Sequence, residues 1–171
     1  YQREGFDWLC FLWRHRLGGV LADDMGLGKT LQTLALLCHA REVQPAAPPF
    51  LIVAPTSVVP NWAAEAARFA PGLRVATVTD TLRRRGQDLQ AVIAGADVVV
   101  TTYTLLRLDV DAYAAVEWSG LVLDEAQFAK NHRSKVYQCA RRVPASFRLA
   151  ITGTPMENDL MELWAVLSIM A

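Results

Sequence analysis

The chain is 171 residues long, 53% hydrophobic, and carries 17 basic against 17 acidic side chains, a formal net charge of zero. That length fits one domain by the rough prior of ~150 residues each, and a chain of this size buries on the order of 70% of the surface its unfolded form exposes, so a core needs no covalent staple. The charge balance neither demands nor excludes a polyanionic partner, which leaves any nucleic-acid contact to local groups. No apolar run reaches about 18 residues, and the opening "YQREGFDWLCFLWRH" lacks the build of a signal peptide, so nothing points to a membrane. Cys10, Cys38 and Cys139 stand far apart without a C-x-x-C spacing and are expected to be reduced thiols of a cytosolic protein. The excess of Arg over Lys, with abundant Ala, hints at a high-GC bacterial source.

In chain order, the first segment is predicted to be a helix with Phe6, Leu9, Cys10 and Trp13 on one face and Trp8, Phe11 and Leu12 elsewhere. Part of that apolar surface is therefore expected to pack on sequence outside this chain. Six short apolar runs then read as strands: "GGVLA" (18–22), "FLIVA" (50–54), "LRVATV" (73–78), "DVVVT" (97–101), "GLVLD" (120–124) and "FRLAIT" (147–152). Helices fill the gaps. Leu31, Leu34, Ala35 and Cys38 recur at helical spacing after a glycine-rich loop, and Ala64, Ala67 and Arg68 lie in a helix after "VAPTSVVPNW". The proline-rich "REVQPAAPPF" reads as a surface connection. Arg83, Arg84 and Arg85 read as a solvated helix face, with a phosphate-contacting patch as the alternative. Leu160, Leu163, Trp164 and Leu167 close the chain with a last helix. The rhythm of strand and helix predicts an α/β fold with a parallel sheet.

The segment "LADDMGLGKT" (21–30) carries the first chemistry. A phosphate cradle needs backbone N–H groups converging on anionic oxygens where a helix begins, and Gly26 and Gly28 give the required tight turn. Lys29 supplies a cation for the β- and γ-phosphates and Thr30 a hydroxyl for Mg²⁺. Asp23 stands where the usual pattern has its first glycine; a carboxylate close to triphosphate is repelled, so Asp23 is expected to turn away. In "LVLDEAQ", Asp124 falls at the carboxyl end of a strand and can hold the metal opposite Thr30, while Glu125 can take a proton from the attacking water.

Five stretches in this order, "DDMGLGKT", "LIVAPTSVVPNW", "DVVVTTYTLL", "LVLDEAQFAKN" and "LAITGTPMENDLMELW", resemble the SWI/SNF family of helicase-like ATPases within superfamily two. The resemblance spans residues 2 to 170 and implies a P-loop NTPase fold, a RecA-like parallel sheet with helices on both faces. In that family the loop is typically preceded by an Ala-Asp-acidic-Met run, so Ala22, Asp23, Asp24 and Met25 identify the branch. The resemblance also implies that Gln2 recognises adenine and that Asp24, Met25, Gly26, Leu27, Gly28, Lys29 and Thr30 form the nucleotide cradle. It assigns Pro55, Thr56, Ser57, Thr101, Thr102 and Tyr103 to the DNA phosphate backbone, with helix N-capping as the alternative role for their hydroxyls. Gln127, Thr152, Gly153 and Thr154 are implied to couple the ATP site to the DNA contacts. Lys130 and Asn131 follow the family pattern after the acidic pair.

The implied function is that of the ATP-binding half of a DNA-dependent ATPase that uses ATP and Mg²⁺, translocates on double-stranded DNA and remodels protein–DNA complexes without strand separation. Residues 1–171 are expected to be the first of two RecA-like lobes, because no Q-x-x-R-x-x-R pattern for arginine fingers occurs here; isolated, the lobe is expected to be nearly inactive. Its partners would be duplex DNA, a C-terminal lobe of the same protein and DNA-bound protein complexes, in a bacterial cytoplasm and at the nucleoid. An unwinding helicase of the wider superfamily and a non-catalytic docking module are the alternatives; "GTPMENDLMELW" argues against the first, and intact Lys29, Thr30, Asp124 and Glu125 against the second.

Overall fold

A computed structural model of the chain describes residues 2–22, 28–129, 134–153 and 168–170. Its elements run α1 (Gln2–Arg14), β1 (Gly19–Ala22), α2 (Lys29–Val43), β2 (Phe50–Ala54), α3 (Val59–Phe69), β3 (Val75–Thr77), α4 (Leu82–Arg85), α5 (Leu89–Ile93), β4 (Val98–Thr102), α6 (Tyr103–Leu108), α7 (Val110–Ala114), β5 (Gly120–Leu123), a 3-10 turn (Ala126–Ala129), α8 (Lys135–Arg142) and β6 (Arg148–Thr152). All six predicted strands form, and they pair parallel in the order β1-β6-β5-β2-β4-β3.

The apolar runs are continuous because both faces of the sheet are covered. Phe50, Ile52, Val98, Val100, Val122, Leu149 and Ile151 face a core closed by Leu9 of α1, Leu34 and Leu37 of α2 and Trp62 of α3. The alternate residues Leu51, Val53, Val99, Leu121, Leu123 and Ala150 face a second core with Ile93, Leu106, Tyr113 and Ala140 of α5 to α8.

Several strand boundaries shift by one or two residues from the sequence expectation, three of them for identifiable reasons. β3 begins at Val75 rather than Leu73 because the Arg74 N–H donates to the Asp97 carboxylate, at 2.8 Å, instead of to a strand. β4 correspondingly starts at Val98, after Asp97. β5 ends at Leu123: Asp124 N–H still reaches the Val53 carbonyl at 2.8 Å, but Glu125 adopts φ 49° and turns the chain away. On α1 the expected face needs correction at Leu12, which is buried with Leu9 and Cys10, while Trp8 and Phe11 are exposed. Gly19 makes the room, since a Cβ there would lie 2.5 Å from Leu12 Cδ1. Arg83, Arg84 and Arg85 form the short α4, capped by the Thr81 side chain and without buried residues. The three cysteines are free thiols, and among the described residues no helix is long and apolar enough to cross a membrane.

Candidate active site

The strand order sets β1, β6 and β5 side by side, so Lys29, Thr152 and Asp124 meet at one rim although they are far apart in sequence. Ligand sites in open parallel sheets form at this carboxyl rim. α2 starts there from Gly28, whose left-handed φ of 94° suits glycine. Among the described residues no side chain caps its amino end and its first turn holds no acidic residue, so the partial positive charge of a 15-residue helix points to this rim. Lys29 is only 5% exposed, and its ammonium donates to the Thr152 carbonyl at 3.0 Å. Thr30, half-buried, follows in the same turn.

The acidic pair is held by neutral donors. Asp124 Oδ1 accepts the Glu125 N–H at 2.8 Å, and Oδ2 accepts the Trp62 indole N–H at 2.7 Å. Burial dominates and pushes the Asp124 carboxyl up; the Trp62 and Glu125 hydrogen bonds oppose it, the Glu125 charge adds to it, and Lys29 offsets part of it. Gln127 Nε2 donates to Glu125 Oε2 at 2.6 Å, and Thr152 Oγ1 donates to Gln127 Oε1 at 3.1 Å. The structure thus links Glu125, Gln127, Thr152 and Lys29 into one hydrogen-bonded row, with Gly153 alongside: a Cβ there would sit 3.5 Å from Lys29 Nζ.

This donor set fits a magnesium nucleotide. A buried cation (Lys29), a hydroxyl (Thr30), the amino end of α2 and a buried carboxylate (Asp124) with no salt-bridge partner among the described residues are complementary to phosphate oxygens and a divalent ion. Among the described residues no group of three or more His, Cys, Asp or Glu could hold a metal.

The other half of the rim, after β2, β4 and β3, is a groove of about 360 Å³ lined by Thr56, Val59, Pro60, Thr79, Thr102, Thr104 and Leu105. Thr56 and Ser57 are exposed and Pro55 half-buried, positions open to a ligand. The segment after β4 departs from the sequence expectation. The Thr101 hydroxyl is buried against Tyr113 Oη at 2.8 Å. The Thr102 hydroxyl accepts the Leu105 N–H at 3.0 Å and caps α6, the alternative role weighed for it. Tyr103 turns inward and donates to the Asp124 carbonyl at 2.7 Å. These three hydroxyls are thus engaged inside the protein, because β4, which carries Thr101 and Thr102 and leads into Tyr103 of α6, lies within the sheet with both faces covered, and of the three residues only Thr102 also borders the groove.

Asp23, Asp24, Met25, Gly26, Leu27, Lys130, Asn131 and Thr154 lie outside the described residues, as does the side chain of Gln2. Trp62 and Tyr113 are polar partners of the site that sequence reasoning passes over. The only signal for Trp62 is its place in "VAPTSVVPNW", which does not say that its N–H meets a carboxylate 62 positions away.

The SNF2-related domain family matches the chain over residues 1–171. YwqA of Bacillus subtilis, described as an ATP-dependent helicase/translocase, is 44% identical over 170 residues, covering 99% of this chain and 18% of that protein. The ISWI chromatin-remodeling complex ATPase ISW1 of Saccharomyces cerevisiae is 36% identical over 170 residues, 98% of this chain and 15% of that protein. Among solved structures, the Sulfolobus solfataricus SWI2/SNF2 ATPase core in complex with dsDNA superposes with a TM-score of 0.87 at 38% identity, over 99% of this chain and 35% of that one. The chain thus spans less than a fifth of these curated relatives and about a third of the solved core. The parallel sheet with both faces covered is the RecA-like P-loop fold, and the chain belongs to the SNF2-related domain family.

Proposed function

We propose that this chain is the ATP-binding lobe of a DNA-dependent ATPase that translocates on double-stranded DNA and remodels protein–DNA complexes without separating strands. The observation that carries the reading is the shared rim: the Lys29, Asp124 and Glu125 cluster after β1, β6 and β5 stands on the same rim as a largely apolar, threonine-bearing groove after β2, β4 and β3. Support comes from the relatives, one described as a helicase/translocase, one a chromatin-remodeling ATPase and one an ATPase core solved with dsDNA.

Bound Mg-ATP supplies the phosphoanhydride and the charge of the metal. Lys29 Nζ binds phosphate oxygens beside the amino end of α2, with Asp24, Met25, Gly26, Leu27 and Gly28 as the cradle and Gln2 on the adenine. Thr30 and Asp124 hold Mg²⁺. Glu125, oriented through Oε2 by Gln127, takes the proton of the attacking water. Gln127, Thr152, Gly153 and Thr154 report the state of that site to the groove. Thr56 in the groove, with Pro55 and Ser57 beside it, binds phosphate oxygens without reading bases, which suits an engine that moves over any sequence. A second lobe of the same protein contributes the arginine fingers, so residues 1–171 alone turn over ATP negligibly. The protein works in the bacterial cytoplasm and at the nucleoid, on DNA-bound protein complexes.

The test uses the full-length protein with ATP, Mg²⁺ and duplex DNA. We expect duplex-stimulated ATP turnover and displacement of a third strand from a triplex, with no unwinding of a forked duplex. Unwinding without triplex displacement, or turnover indifferent to duplex, would refute the reading.

A further inference from the structure

Trp62 and Tyr103 converge on Asp124 from two different elements. The Trp62 indole, 1% exposed, donates to carboxylate Oδ2 at 2.7 Å, and the Tyr103 phenol, 5% exposed, donates to the main-chain carbonyl at 2.7 Å. Together with the Glu125 N–H on Oδ1, these contacts fix the Asp124 carboxylate through both oxygens. They also clamp the peptide between Asp124 and Glu125 at both ends, its C=O on Tyr103 and its N–H on Asp124 Oδ1. That peptide leads into Glu125 at φ 49°, a left-handed conformation that a non-glycine residue keeps only where its surroundings hold it. Phe128, in the turn after the acidic pair, stacks on the Tyr103 ring at 5.6 Å and 12°.

Each donor is carried by an element that starts at the groove. Trp62 lies in the first turn of α3, where Val59 and Pro60 line the groove, and Val58 and Val59 N–H both return to the Pro55 carbonyl, at 2.9 and 3.3 Å. Tyr103 sits between Thr102 and Thr104, which line the same groove. Neither Trp62 nor Tyr103 lines it.

We propose that Trp62 and Tyr103 are positioning residues for Asp124 and Glu125, and that through them the occupancy of the groove sets the geometry of the acidic pair. The inference rests on the proposed function, since it takes the groove as the duplex site and the acidic pair as the nucleotide site. A phosphate backbone pressing on Thr56 and the start of α3, or on the turn from β4 into α6, displaces one or both donors. Packed interiors transmit such a displacement rather than absorb it. If the two residues served only to satisfy the buried polar groups of Asp124, their loss would change melting and leave the response to duplex intact.

The experiment compares full-length wild type, Tyr103→Phe, which removes one oxygen, and Trp62→Phe, which keeps a ring but removes the N–H. Partners of this kind are worth about 10–100-fold when removed, so the stimulation of ATP turnover by duplex should fall by about that factor in each variant. Duplex affinity without nucleotide, read by anisotropy, should stay within about twofold, because neither residue touches the duplex. In protein labelled with 5-fluorotryptophan, the ¹⁹F line missing from Trp62→Phe should shift when saturating duplex is added without nucleotide. Wild-type stimulation in Tyr103→Phe, or an unmoved Trp62 line under saturating duplex, would overturn the proposal; if Trp62→Phe loses its cooperative melting, Tyr103→Phe alone decides the kinetic arm. A wild type that binds no duplex, or is not stimulated by it, would refute the functional reading itself and this inference with it.

Discussion

Asp97 and Asp124 are aspartates buried to the same degree at opposite rims of the sheet, and their surroundings treat them in opposite ways. Asp97, just before β4, meets two guanidinium groups, Arg41 at 2.8 Å and Arg74 at 3.3 Å, and also accepts the Arg74 main-chain N–H. Burial is the largest influence on it and pushes its carboxyl up, but the hydrogen bonds from Arg74 and Arg41 together with the Arg41 charge outweigh burial and hold it below the usual carboxylate range. Asp124, just after β5, has two neutral donors, and there burial prevails. One carboxylate is neutralised by the fold. The other is held in place with its charge left largely uncompensated, a state that an arriving cation relieves. On the proposed function, the amino rim is a structural lock and the carboxyl rim the working end.

The comparison breaks most sharply through turnover. Glu125→Gln removes the proposed proton acceptor and should lower duplex-stimulated ATP turnover by about 10²–10⁴-fold in the full-length protein, with melting nearly unchanged. Wild-type turnover in that variant would remove Glu125 from the chemistry.

The next contrast is in stability. Asp97→Asn leaves two guanidinium groups facing an amide, and should cost about 2–3 kcal/mol, lowering Tm by roughly 5–10 °C. Asp124→Asn relieves a desolvated charge but turns an amide NH₂ on either the Trp62 or the Glu125 N–H, so it should cost about 1 kcal/mol, less than Asp97→Asn, in urea or thermal unfolding. The pH dependence follows in sign. The Asp97 carboxyl is depressed on folding, so its contribution is present above the unfolded value of about 4 and disappears as pH falls through the lower folded value. Wild type should therefore lose Tm more steeply than Asp97→Asn below about pH 4.

The smallest effect separates the outward from the inward hydroxyls of the groove region. Thr56→Ala with Ser57→Ala should weaken duplex binding about fivefold, one neutral hydrogen bond's worth, without altering Tm. Tyr113→Phe should do the reverse: it removes the buried partner of Thr101 at about 1–2 kcal/mol of stability and leaves duplex affinity alone. Burial, opposed by the Thr101 hydrogen bond, pushes the Tyr113 phenol up to about 12, so it is a neutral partner throughout the accessible pH range.

Much of this was legible in the sequence because it is local. Apolar runs bounded by helical periods locate six strands, and of the four residues proposed for the nucleotide site Gly28 and Lys29 stand at the start of α2 while Asp124 and Glu125 directly follow β5. What escaped depends on which strands become neighbours and which way a side chain points. No spacing rule joins Arg41 and Arg74 to Asp97, or Trp62 to Asp124. The hydroxyls of "TTY" illustrate the second difficulty: at a strand end they face ligand or core with equal ease, and the packing of Tyr113 and the position of the Asp124 carbonyl decide the matter. Leu12 of α1 is of the same kind, buried because a residue in another element, Gly19, has no side chain.

The most direct test of the account is a calorimetric titration of ATP, with and without Mg²⁺, into the full-length wild type, Asp124→Asn and Asp97→Asn at a temperature where all three are folded. Asp124→Asn should lose the Mg²⁺-dependent part of the affinity, about tenfold or more, while Asp97→Asn should bind as wild type does. Equal binding by Asp124→Asn and wild type, or an equal loss in both variants, would contradict the assignment of the two rims.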